Sequence, residues 1–184
     1  MRSRLIATIA VATLALAGCG STDMPAARNQ PAASSNDHND ADVQFSENMI
    51  PHHQQTIQIA DLATRQGASE QVKVVAAEIL SPEEKDIQTM SGWLRSWNVA
   101  SPGDMSGMDM PGMISMADMK SLQSATGAAF DRKFLAMVAQ HLQNGVDMAK
   151  KVLADGKHEG TRTLANKIVT EQTEQIKKVQ ALKV

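Results

Sequence analysis

Cysteine and aromatic side chains are nearly absent from this chain, which has one Cys, no Tyr, two Trp and three Phe in 184 residues. A lone thiol closes no intrachain disulfide and supplies no cysteine-based zinc site. With so few rings, any core must be packed from aliphatic side chains and methionine. Basic charge is not in excess either, at 18 Lys and Arg against 20 Asp and Glu. No basic face of the kind that neutralises phosphates is available, so nucleic-acid binding is excluded. No apolar run approaches the roughly 20 residues of a membrane span. A phosphate-cradling glycine loop and a Ser/His/Asp arrangement are also missing. No Glu precedes a His by three positions, as a di-iron bundle centre requires. Asp155 and His158 have that spacing but straddle Gly156, an expected helix end.

The first residues stand apart from the rest. Arg2 and Arg4 precede an apolar run at 5–15, then Leu16, Ala17, Gly18 and the only cysteine, Cys19. This looks like a bacterial lipobox, which predicts a signal peptide over 1–18 and Cys19 as the lipidated N-terminus of the mature chain. An ordinary secretory signal with an incidental cysteine is the alternative. Of the 18 basic residues, Arg2 and Arg4 lie in this leader, leaving 16 against 20 acidic ones. Residues 19–41 are rich in Pro, Ala, Ser, Asn and Asp and too poor in large apolar residues to fold. They read as a tether, with His38 in solvent.

Residues 42–184 carry a gapless internal repeat. A shift of 89 positions aligns Asp42 with Asp131, Phe45 with Phe134, His52 with His141, Gln54 with Gln143 and Ala60 with Ala149. The register persists through Gly67/Gly156, Ala76/Ala165, Ile79/Ile168 and Ile87/Ile176. Two copies of one helical hairpin, at 42–98 and 121–184, predict an all-α four-helix bundle joined by a crossover at 99–120. In the first copy Asp42 serves as N-cap, and Phe45, Met49, His52, Thr56, Ile59 and Ala63 form one helical face that stops at Gly67. A second helix starts at Ser69 and breaks or kinks at Ser81-Pro82, where Ser81 reads as a new N-cap. The acidic run of Glu83, Glu84 and Asp86 reads as a solvated helix start. The second copy predicts helices over about 128–155 and 159–182. Residues 100–119 show no helical period, with a short turn at 118–124.

Two features carry chemistry. On a helix, adjacent His52 and His53 point about 100° apart, so one faces inward and the other lies at the edge. Met49 stacks beneath them, and Met137 bears the same relation to His141. Packed by pseudo-twofold symmetry, His52 and His141 would meet inside the bundle. Imidazole with thioether suits copper in either oxidation state, and sulfur selects Cu(I). The alternative is a set of polar core residues and packing methionines. The crossover is richer still, with Met105, Met108, Met110, Met113, Met116 and Met119 in fifteen residues punctuated by Gly and Pro. Such a run can wrap Cu(I) or Ag(I). It could equally fold onto the bundle or act as an oxidation sink.

The Phe45–Ala60 segment, with Met-Ile-Pro-His-His-Gln-Gln at its centre, closely resembles the signature of the DUF305 family, and Phe130-Asp131-Arg132-x-Phe134 matches as well. The resemblance spans roughly residues 40–183 and implies a ferritin-like helical bundle. Some members resemble periplasmic copper-binding proteins linked to copper resistance. Carried onto this chain, that resemblance implies ligand roles for Met49, His52, His53, Met137 and His141. Family members often repeat the paired histidines in the second half. Here Gln140-His141-Leu142 stands instead, so a four-imidazole site is not expected and weight shifts to the crossover.

The resulting expectation is a non-enzymatic, lipid-anchored protein on the extracytoplasmic face of the cell membrane. It would bind a copper ion, Cu(I) in preference to Cu(II), without an organic cofactor, for sequestration, resistance or delivery to another envelope copper-handling protein. A structural module docking an envelope protein and a copper oxidase are the alternatives.

Overall fold

In the computed structural model, residues 37–103 and 112–184 are described; the lipobox with Cys19, most of the tether, and Met105, Met108 and Met110 lie outside them. The described residues form six helices: α1 (Asp40–Gln66), α2 (Glu70–Leu80), α3 (Glu83–Ser96), α4 (Met116–Gln123), α5 (Gly127–Asp155) and α6 (Glu159–Ala181). α1 packs against α2 and α3 in the first hairpin, α5 packs on α6 in the second, and α1 meets α5 between them. The bundle is thus the duplicated one that the repeat predicts. No described helix is long and apolar enough to cross a membrane.

Helix ends depart from expectation in three places. α1 begins earlier, capped by Asn39, whose side chain accepts from the Asp42 N–H while Asp42 accepts from the Asn39 N–H. The predicted cap, Asp42, is therefore the N3 partner of a capping box. The helix also takes in Asp40 and Ala41 from the expected tether. Ser81 has helical backbone angles and Pro82 precedes α3 with no side-chain cap, so the chain bends there without a serine cap. Met116 and Met119 belong to α4, which Ser115 caps through the Asp118 N–H, and not to an aperiodic loop. α1 itself runs unbroken through the buried Pro51.

Two carboxylates hold the halves together reciprocally. Asp131 on α5 accepts from the N–H groups of Ala68 and Ser69, in the α1–α2 turn, both at 2.9 Å. Asp42 on α1 accepts from Lys157 and His158, in the α5–α6 turn, at 3.0 and 3.1 Å. These pairings superpose under the 89-residue shift. Each half satisfies the orphan donors at the turn of the other. Gly156 permits the close approach, since a Cβ there would sit 2.6 Å from an Asp42 carboxylate oxygen.

The core is split by a polar layer. One apolar cluster holds Phe45, Met49, Ile50, Met90, Leu94 and Ile168, and the other holds Ile59, Ile79, Phe130, Phe134, Leu142 and Ile176. Between them along the helices lie the buried His52, His53, Gln55, Thr56, Glu83, Asp86, His141 and Gln172. Burying so many polar groups costs free energy wherever a donor or acceptor stays unpaired. That cost makes the layer the place to look for function.

Candidate metal centre

His52 and His141 lie face to face at the centre of the layer, with ring centroids 3.7 Å apart and planes within 5°. Both are fully buried, at 0% and 1% exposure. Nε2 of His52 donates to the main-chain carbonyl of His141 at 2.9 Å, and Nε2 of His141 donates to the carbonyl of His52 at 3.2 Å. A carbonyl only accepts, so these bonds place the hydrogen on Nε2 in both rings. Each Nδ1 is then a lone pair that makes no hydrogen bond of good geometry, although the Gly112 carbonyl lies near the His141 ring.

Electrostatics hold this pair neutral. Burial drives His52 well below its usual range, and the neighbouring His141 and His53 add to the effect. Burial likewise lowers His141 to about 4, against the opposing influence of its hydrogen bond to the His52 carbonyl and of the nearby Gly112 carbonyl. Two imidazolium rings could not stack at this distance. Two neutral ones can, and each presents a nitrogen donor to a soft or borderline cation.

His53 is also buried, at 1% exposure, which corrects the expectation that one of the adjacent rings lies at the helix edge. Its Nδ1 is 3.4 Å from Glu83 and its Nε2 3.8 Å from Asp86. Asp86 also pairs with Lys167 at 2.9 Å. Glu83 and Asp86 are therefore buried partners of an α1 side chain, and of the acidic run only Glu84 is a solvated helix-start residue. Burial raises the Glu83 carboxyl to about 7, with His53 pulling against it. Burial also pushes Asp86 up, but His53 and Lys167 outweigh it and hold that carboxyl below its ordinary value. The two acids address opposite nitrogens of the His53 ring, and so do not converge on one point. Among the described residues, no three His, Cys, Asp or Glu side chains gather as a cation site. The donors on hand instead suit a low-coordinate soft ion held by imidazole and thioether.

The methionines divide. Met49 is fully buried in one apolar cluster, and Met137 packs half-buried against the other. Met119 packs on that second cluster from α4, and Met116 is 60% exposed. Met113 sits differently. The side chain of Gln55, one turn beyond His52, donates to the Ile114 carbonyl at 2.9 Å and accepts from the Ile114 N–H at 2.8 Å. Asn144, one turn beyond His141, donates to the Gly112 carbonyl at 2.9 Å. That carbonyl lies within reach of the His141 ring. Sequence reasoning missed Gln55 and Asn144 because the repeat pairs them as Gln with Asn, and only identities were aligned.

The remaining histidines serve elsewhere. His158 caps α6 by accepting from the Thr161 N–H, and it meets the edges of Trp93 and Trp97. His38 stacks on Trp97 with centroids 4.4 Å apart, and so is not a free tether residue in solvent.

No curated protein sequence matches the chain. Solved structures do. CopM in its Cu(I)-bound form is 27% identical, with a TM-score of 0.64 over 76% of this chain and 92% of that one. CopM in its Cu(II)-bound form is 30% identical, with a TM-score of 0.67 over 76% and 93%. A DUF305 fragment from Deinococcus radiodurans shares the fold at 23% identity, with a TM-score of 0.69 over 77% and 94%. The family model described as "Domain of unknown function (DUF305)" matches residues 42–183, and the chain belongs to that family.

Proposed function

We propose that this protein is a non-enzymatic copper-binding lipoprotein of the cell envelope, which takes Cu(I) in preference to Cu(II) for sequestration or for delivery to another envelope protein. The observation that carries the reading is the buried pair of neutral imidazoles, each with its Nε2 hydrogen committed and its Nδ1 lone pair unpartnered. Likeness to CopM structures with Cu(I) and Cu(II) bound supports it. So do the methionines of the crossover, whose thioethers suit Cu(I). Copper is the cargo here. The chain's share is to hold donors in a buried, preformed layer and so spare the ordering cost at binding.

The test is an anaerobic Cu(I) titration of the mature protein against a competing chelator. Tight binding that is lost in the variant carrying both His52→Ala and His141→Ala supports the reading. Unchanged affinity in that variant overturns the histidine locus. If Met105→Leu, Met108→Leu, Met110→Leu and Met113→Leu together then abolish binding, the crossover alone carries the ion. Aerobic turnover of Cu(I) by the wild type would replace the binder with an oxidase. Anchoring rests on Cys19 as the acylated residue, since two lipid chains hold a protein stably where one does not. Cys19→Ala is expected to release the protein from the membrane fraction.

A further inference from the structure

Gln55 and Asn144 stand 89 residues apart, the period of the repeat, and each follows its stacked histidine by three positions. They are therefore equivalent side chains of the two halves. Both turn to the same short stretch of backbone, yet that stretch belongs to neither half. Gln55 takes the N–H and the carbonyl of Ile114, and Asn144 takes the carbonyl of Gly112. Met113 is the residue between them. Gly112 has φ +85, a left-handed angle that fits glycine and turns the chain into this cradle. Gln55 is fully buried, and Met113 and Ile114 are half-buried. A two-point amide pairing from a buried glutamine orders backbone more firmly than a surface contact would.

We propose that Gln55 and Asn144 are positioning residues which together hold the Gly112–Ile114 backbone over the stacked histidines, so that the Met113 thioether joins the His52–His141 pair as a third donor. This rests on the copper-binding reading above. It deepens that reading by singling out one methionine and by assigning two uncharged residues the task of placing it. The pseudo-twofold arrangement gives the reason both are needed. A single hydrogen bond leaves the stretch free to pivot, whereas bonds from both halves restrain it at two points.

The experiment combines a metal-free and a metal-loaded readout on the mature chain. In the apo protein, amide hydrogen exchange at Ile114 reports the clamp directly. The variant carrying Gln55→Leu and Asn144→Ala should raise that exchange rate by about tenfold or more while the exchange of α5 and α6 amides stays protected. Cu(I) affinity, read against a competing chelator, should fall about tenfold in the same variant, the usual scale for a group that orients a ligand. Met113→Leu should weaken wild-type binding by a similar factor and add less than about twofold in the clamp-free background, the sign of coupled action. Gln55→Glu keeps the acceptor for the Ile114 N–H and should recover part of the affinity, which guards against misfolding of the leucine variant.

Met113→Leu with wild-type affinity overturns the proposal. So does a factor for Met113→Leu that is equal in both backgrounds, because the clamp then places nothing. Faster Ile114 exchange with unchanged Cu(I) affinity overturns it as well, leaving a purely structural clamp. The double histidine variant separates the two levels. If it too binds Cu(I) normally, the copper-site reading fails; if it loses binding while the clamp variants do not, only the positioning role fails.

Discussion

The two hairpins keep the same skeleton and part company in the polar layer. Asp42 and Asp131, His52 and His141, Gln55 and Asn144 occupy matched positions and make matched contacts across the bundle. In the first half His53 then faces Glu83 and Asp86, with Lys167 closing the far side. The corresponding second-half residues are Leu142, Gln172 and Gln175, all without ionisable groups. What the halves share fixes the bundle and centres the histidine pair. What they do not share places a buried, charged set on one flank only. Duplication supplied a symmetric pair of imidazoles, and divergence gave that pair one ionisable flank and one uncharged flank.

The comparison can be broken most directly at its shared points. Asp131→Ala and Asp42→Ala each strip the acceptor from two turn N–H groups. Each should cost about 1–2 kcal/mol, because the part-buried turn donors lose their acceptor. Urea unfolding should show both losses, that of Asp42→Ala somewhat the larger because it also breaks the capping-box bond from the Asn39 N–H; a loss confined to one half would mean that the symmetry is only geometric.

The flanks sharpen it next. His53→Leu alone copies the second half's residue but leaves the buried Glu83 without its ring partner, and should destabilise by about 1–3 kcal/mol. Adding Glu83→Gln copies the second half at two of the three positions and should restore most of the loss, since a buried ionic pair is often replaceable by neutral groups. Thermal or urea denaturation of the single and double variants checks this. No recovery in the double variant would show that His53 acts through packing and not through its carboxylate.

Smaller still is a dependence on pH. The unfolded chain protonates His52 and His141 near their ordinary 6.5, whereas burial keeps both neutral lower in the folded state, His141 to about 4. The unfolded state therefore binds more protons in that window, and stability falls as the pH drops from about 6.5 to about 4. Glu83 runs the other way. Its folded carboxyl takes a proton near 7 against 4.5 when unfolded, so it gains stability as the pH falls from about 7 to about 4.5. Glu83→Gln removes that offset, and its urea midpoint should drop more steeply with acid than that of the wild type. An equal slope in both proteins would mean that Glu83 does not titrate in this range.

Much of this arrangement was legible in the sequence. The 89-residue register foretold two hairpins and the meeting of His52 with His141, because identities in a repeat preserve both helix face and partner. The register also held Gln55 opposite Asn144 and Glu83 opposite Gln172, but unlike residues at matched positions do not announce themselves. Glu83 and Asp86 were misread because an acidic run before a helix is ordinarily solvated and the buried partner, His53, lies thirty residues away. His38 was misread for a similar reason, since the polar composition around it conceals the distant Trp97 on which it stacks. Ser81 has the residue type of a cap, but its helical backbone angles deny it that role.

The central claim is that two buried imidazoles keep their hydrogens on Nε2 and offer Nδ1 to a soft metal. Nitrogen-15 NMR of the histidine rings tests this most directly, first in the apo protein and then with Cu(I) added anaerobically. The account predicts the neutral Nε2–H tautomer for His52 and His141 before metal, still present below the ordinary imidazole range, and a Cu(I)-induced shift at their Nδ1 resonances. Rings carrying hydrogen on Nδ1, or Nδ1 resonances that Cu(I) leaves unmoved while it binds elsewhere, would contradict it.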